Sequence, residues 1–141
     1  MCTGHWVCCE GVVISEDTFG FIYEITNTIN KKIYIGKKQC FKKVKYKPLK
    51  NKKNKRIQTK DSDWRVYTGS CTELNNDIKL NGIQHFTFKI LKTCDSKWEL
   101  AYEEIREQIT REVLLSDKYY NGIINVRIGT PPESFFKKTV K

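Results

Sequence analysis

Two short apolar stretches, Phe21-Ile22-Tyr23-Glu24-Ile25 and Lys32-Ile33-Tyr34-Ile35-Gly36, flank the turn-rich segment Thr26-Asn27-Thr28-Ile29-Asn30-Lys31. A strand sends successive side chains to opposite faces, so Phe21, Tyr23 and Ile25 share one face of the first stretch. Tyr34 and Gly36 share one face of the second. A hairpin through the intervening turn then brings two phenols side by side. Any fold for this chain must accommodate that hairpin. With 141 residues there is room for one domain with a substantial core and too little for two.

Periodicity organises the remainder. Gly11-Val12-Val13-Ile14 is suited to a short strand ahead of the hairpin, and residues 37–63 read as a long basic loop. Thr72 is placed to cap a short helix, Glu73 to Leu80, that stops at Asn81-Gly82. From His85 to Leu91, Phe86, Phe88 and Ile90 alternate with His85, Thr87 and Lys89, a strand signal. Ser96, with Glu99 three residues on, forms a capping box for a helix from Lys97 to about Leu115. In that helix Trp98, Ala101, Tyr102, Ile105, Ile109 and Val113 recur as an apolar stripe. Glu103 and Glu107 fall opposite it, on the solvated side. Glu104 falls on its flank, where a helix meets a sheet edge.

The element order predicts an α+β domain, a small antiparallel sheet (the hairpin plus a third strand) flanked by helices. Residues 1–19 read as an N-terminal extension, 20–128 as the domain with 37–63 as a lysine-rich insertion, and 129–141 as a tail.

The charge of +10 is concentrated. Residues 31–60 hold fourteen Lys or Arg and no Asp or Glu. The remaining twelve basic residues face sixteen acidic ones, a net of −4. Such a patch is the footprint expected for a phosphate backbone, through counterion release, and Phe41 and Tyr46 interrupt it with rings. Six cysteines do not fall into the closely paired sets of a structural zinc site, so Cys2, Cys8 and Cys9 beside His5 are read, with Cys40, Cys71 and Cys94, as reduced thiols. No apolar run approaches the roughly 20 residues of a membrane span, and no signal peptide opens the chain. A soluble cytoplasmic protein is expected.

Phe21-Ile22-Tyr23, followed by Tyr34-Ile35-Gly36, resembles the signature of the GIY-YIG nuclease superfamily, with Phe21 where Gly is usual. From Trp64 onward the chain is similar to the phage-encoded, free-standing branch. The shared series is Trp64-Arg65-x-Tyr67-x-Gly69-Ser70, Leu74, Ile78, Gly82, Phe86-x-Phe88-x-Ile90-Leu91, Leu100-x-Tyr102-x-Glu104 and Tyr119-Tyr120-Asn121.

This resemblance implies a metal-dependent endonuclease acting on DNA, in the host cytoplasm if phage-encoded, with low or short sequence preference. It implies that Tyr23 handles the proton of the attacking water and that Tyr34 lines the site. Glu104 is then the lone carboxylate for Mg2+ or Mn2+, and Asn121 the polar residue after it. The superfamily's helical arginine has no counterpart, so Arg65 is the candidate, with Lys37 or Lys38 as alternatives. DNA phosphates fall to Lys37, Lys38, Lys42, Lys43, Lys45, Lys52, Lys53, Lys55 and Arg56. Two active sites are needed for efficient cutting of both strands, which admits a homodimer on DNA.

These residue types suit the reaction. Attack on phosphorus builds charge on nonbridging oxygens, which a cation and a metal ion stabilise. A phenol titrates near about 10, so as a base it needs positive charge nearby. Two alternatives remain: a non-catalytic nucleic-acid-binding module of the same fold, and an inhibitor that masks an acidic surface with the lysine tract. Neither His5 nor His85 is placed in the site.

Overall fold

The computed structural model describes residues 4–51, 56–124 and 127–139. A four-stranded mixed sheet forms its centre, in the order β1-β6-β2-β3, with β1 at Trp6–Cys8, β2 at Gly20–Asn27, β3 at Ile33–Gln39 and β6 at Phe86–Cys94. β2 pairs antiparallel with both β3 and β6, and β1 adds to β6 in parallel. The α+β reading holds, with one strand more than expected. That strand is β1; Gly11–Ile14 forms none.

β2 is buried on both faces, which explains its nearly unbroken apolar run. Phe21, Tyr23 and Ile25 enter an aromatic layer with Trp6, Trp64, Leu74 and Phe88, while Ile22 joins Ile35, Cys94, Leu100 and Val113 in a second layer. A bulge across from Ile22 and Tyr23 lets β6 serve both. Phe86, Phe88 and Ile90 face the aromatic layer. The extra residue Leu91 turns Lys92 and Cys94 to the other side.

α1 (Thr72–Asn81) starts one residue early, with Cys71 at the N-cap position and no side-chain cap, and ends at Gly82, whose φ of +93° suits glycine. α2 (Lys97–Thr110) is capped by Ser96, whose Oγ accepts the Glu99 N–H at 3.1 Å. The Glu99 carboxylate returns to the Asp95 N–H, one residue before the cap. α2 ends at Thr110 rather than near Leu115. Glu112 adopts φ +54° and a short 3-10 turn, Val113–Leu115, follows.

The expected orientation of α2 is corrected. Glu103 is buried and paired with Lys92 and Arg106, while Tyr102 and Ile109 are exposed, Ile109 by 60%. Lys92 of β6 draws Glu103 inward. Trp98 and Tyr102 instead stack on each other at 4.9 Å and meet Phe135 of α3 (Glu133–Thr139).

The basic loop is also corrected: β4 (Phe41–Tyr46) and β5 (Arg56–Asp61) pair as an antiparallel ribbon. Among the cysteines, Cys40 and Cys94 are buried thiols as expected, but Cys8 is disulfide-bonded. Among the described residues no helix is long and apolar enough to cross a membrane.

Candidate active site

The outer edge of β3 is closed by a segment that follows α2. The Ile33 N–H donates to the Lys118 carbonyl at 2.9 Å, and the Tyr120 N–H to the Ile33 carbonyl at 2.7 Å. Two residues on, a side chain takes over. Asn121 Oδ1 accepts the Ile35 N–H at 3.0 Å and Nδ2 donates to the Ile35 carbonyl at 2.8 Å. Gln108 of α2 donates to the same carbonyl at 3.0 Å. One carboxamide thus replaces a neighbouring strand and leaves the edge beyond Ile35 open.

A cleft of about 370 Å³ opens there, lined by Tyr34, Lys37, Ser70, Cys71, Glu104, Gln108, Asn121 and their neighbours. Alternation along β3 sends Tyr34 towards one face and Lys37 towards the other, so the cleft wraps the strand edge. Glu104 and Gln108 lie one helical turn apart and reach the same edge. Lys37 Nζ stands 3.8 Å from Glu104 Oε1. Burial holds the Glu104 carboxyl above its ordinary value, with Lys37 acting against it.

Tyr23 sits behind this cleft and is 1% exposed. It pairs with Gly36 in the register, and a Cβ on Gly36 would stand 2.5 Å from the Tyr23 hydroxyl. Only glycine lets the phenol lie across the strand there. The Tyr34 and Tyr67 rings each lie 6.1 Å from Tyr23. Burial above all, then Tyr34, Tyr67 and Glu104, raises the Tyr23 phenol well above its usual range. Burial also raises Tyr34, against a 3.4 Å contact with the Ser70 hydroxyl.

The structure therefore brings Tyr34, Lys37, Glu104 and Asn121 together and seals Tyr23 beneath them. It does not bring Arg65 to them. Arg65 lies over the Trp64 ring at 4.6 Å and 3.5 Å from Asp61. Lys38 pairs with Asp63 at 2.7 Å and covers the Tyr67 ring at 4.1 Å. Lys42, Lys43, Lys45 and Arg56 belong to the ribbon, whereas Lys52, Lys53 and Lys55 fall outside the described residues.

Gln108 and Ser70 were missed as site residues. Gln108 carried a signal, being four residues after Glu104 on one helical face. Ser70 had only its place in the series. His5, outside the site, supports it: Nε2 donates to the Tyr67 carbonyl at 2.8 Å while the ring stacks on Phe88.

The α+β fold built around the Tyr23–Tyr34 hairpin is consistent with the GIY-YIG fold that the sequence resembles. A family model described as "Putative endonuclease segE, GIY-YIG domain" matches residues 6–124, and the chain belongs to that family. The match starts earlier than the resemblance, taking in β1. No curated protein matches, and no solved structure does. The family is one of nucleases, in general dependent on divalent metals, and a nuclease domain implies DNA as substrate. It lends no support to a homodimer.

Proposed function

We propose that this chain hydrolyses DNA phosphodiester bonds as a divalent-metal-dependent endonuclease with weak or short sequence preference. The convergence of Glu104, Lys37 and Tyr34 on one cleft carries this reading. Hard divalent cations take oxygen ligands and keep several waters, so a single carboxylate suits them. Glu104 fits: its carboxyl is half-buried, burial already disfavours its charge, and Lys37 at 3.8 Å is beyond hydrogen-bond distance. Among the described residues no cluster of three or more potential ligands competes for the ion. Glu104 would hold Mg2+ or Mn2+, which when bound supplies Lewis-acid stabilisation of charge on the phosphoryl oxygens.

The remaining roles fall to the chain itself. Lys37 sets an ammonium against a nonbridging oxygen, the role otherwise offered to Arg65 or Lys38. Tyr34, open to the cleft, accepts the proton of the attacking water once positive charge beside it lowers a phenol that burial has raised. Tyr23 holds the aromatic floor behind it. Asn121 has both polar atoms committed to Ile35, so it positions β3 and leaves the phosphate to others. Lysines beyond Lys38 grip the backbone, which fixes position and carries little sequence information.

The test is supercoiled plasmid with Mg2+. Wild type relaxes or linearises it, while Glu104→Gln and Tyr34→Phe retard it intact. A second reading, a binding module without catalysis, draws on the Lys37–Glu104 pair, which neutralises the carboxylate from within. It prevails if wild type retards the plasmid and never cuts.

A further inference from the structure

The β4–β5 ribbon forms a sheet of its own, separate from the four-stranded one. Its six registered pairs, from Phe41 with Asp61 to Tyr46 with Arg56, extend about 20 Å. Its root is fixed. The Cys40 N–H donates to the Phe19 carbonyl at 2.8 Å, the Ser62 N–H to the Cys40 carbonyl at 2.9 Å, and Phe41 packs against the aromatic layer.

Along the two strands the sequence places Lys42, Lys43, Lys45, Arg56 and Lys60. The one carboxylate, Asp61, sits at the root, 3.5 Å from Arg65. The register sets Lys42 across from Lys60. A pocket of about 260 Å³ lies at the root, with Lys37, Lys38, Lys42 and Ser62 around Phe41. Asp63 on its wall is held by Lys38. Lys37 lines both this pocket and the cleft, so the two adjoin.

We propose that the ribbon is an arm that lies in the major groove of duplex DNA to one side of the cleft, its root pocket taking a backbone phosphate that flanks the cut. The position relative to the cut rests on the endonuclease reading; the groove contact does not. The geometry selects the groove: a major groove about 12 Å wide admits a two-stranded ribbon, and a minor groove about 6 Å wide does not. At about 3.4 Å per base pair, the arm covers roughly six pairs.

The full chain carrying Glu104→Gln, which suppresses cutting, is titrated with duplexes of increasing length at several salt concentrations. The same is done with Lys43→Ser, Lys45→Ser and Arg56→Ser combined in that background, after thermal unfolding confirms that the variant is folded. The arm predicts a salt slope lower by about 2–3 in the variant, since each phosphate contact contributes about 0.9. It also predicts that the duplex length needed for full affinity shortens by roughly six pairs, the reach of the arm. Methyl green, which fills the major groove, should compete with the parent protein, and netropsin, which fills the minor groove, should not. Unchanged slope and length dependence, or competition by netropsin alone, overturns the arm.

Failure of the two readings is distinguishable. If wild type never cuts but the variant loses slope and length dependence, the endonuclease reading falls and the arm stands. If wild type cuts and the variant binds as its parent does, the arm falls alone.

Discussion

The two faces of the central sheet are covered in opposite ways. On one, Trp6, Phe21, Tyr23, Trp64 and Phe88 meet edge to face in a layer closed to solvent. On the other, Leu100, Glu99, Glu103 and Gln108 of α2 are buried together with Val113 of the 3-10 turn that follows it. Buried polar groups survive in a core only where they are bonded, and among the described residues none of the buried side-chain nitrogens or oxygens lacks a partner. The difference teaches where chemistry can be housed. The aromatic layer gives rigidity and holds Tyr23. The polar layer can bring Glu104 and Gln108 to a strand edge because Lys92, Arg106 and the Ile35 carbonyl satisfy its members.

The sharpest way to break this contrast is Trp6→Ala. The indole is 2% exposed and its Nε1 donates to the Trp64 carbonyl, so truncation leaves a cavity and removes that hydrogen bond. A loss of about 3–5 kcal/mol in urea unfolding is expected. A loss under about 1 kcal/mol, the scale of a surface change, would mean that β1 is an appendage.

Glu104→Gln probes the other layer through rate. Removing one electrostatic stabiliser of the transition state should lower plasmid cleavage by about 10²–10³. Stability should not fall with it, and its pH dependence should change in a defined direction. The folded chain holds the Glu104 proton to higher pH than the unfolded chain, because burial raises that carboxyl. The group therefore adds stability below its unfolded value of about 4.3, and loses it as pH rises through the folded value. Urea midpoints should decline across that window more in wild type than in the variant.

The strand residues of the aromatic layer were legible in the sequence, whereas Trp6 and Trp64 in that layer were not, and the polar layer was only partly so. Alternation in Phe21–Ile25 and Phe86–Ile90 fixes faces because strand period is two and both runs are strongly apolar. The helix misled because Trp98, Tyr102 and Ile109 form a convincing stripe. Whether a stripe meets the sheet depends on what the sheet offers, and the bulge at Leu91 that turns Lys92 towards Glu103 leaves no mark in composition. Lysine density hid the ribbon in the same way: charge argues for loop, while Val44, Tyr46 and Ile57 at strand positions argue for pairing. Of the site, Glu104 and Tyr34 could be placed from spacing. Asn121 could be named, but not its pair of hydrogen bonds to Ile35, which depends on a chain reversal far along the sequence.

Asn121→Asp tests that clamp with the smallest change of shape. The carboxylate keeps an acceptor for the Ile35 N–H but loses the donor to the Ile35 carbonyl, setting two oxygens against each other. A destabilisation of about 1–3 kcal/mol is expected. Cleavage should fall with it, because Tyr34 and Lys37 flank the clamped residue. If stability drops and the cleavage rate of the folded fraction does not, the clamp serves the sheet alone.

The smallest effect should come from Arg65→Ala. Its ion pair with Asp61 is 3.5 Å long and solvent-exposed on both sides, a class of contact that contributes about 0.2–1 kcal/mol. Its stacking on Trp64 lies on the aromatic layer, outside the cleft that Lys37 lines. Cleavage at saturating plasmid should therefore stay within about threefold of wild type, a difference of less than 1 kcal/mol in barrier. Lys37→Ala in the same assay should remove most of the activity. If the order reversed, with Arg65→Ala the more damaging, the cation that meets the phosphate would come from the aromatic side of the sheet, and the division of labour between the two layers would not hold.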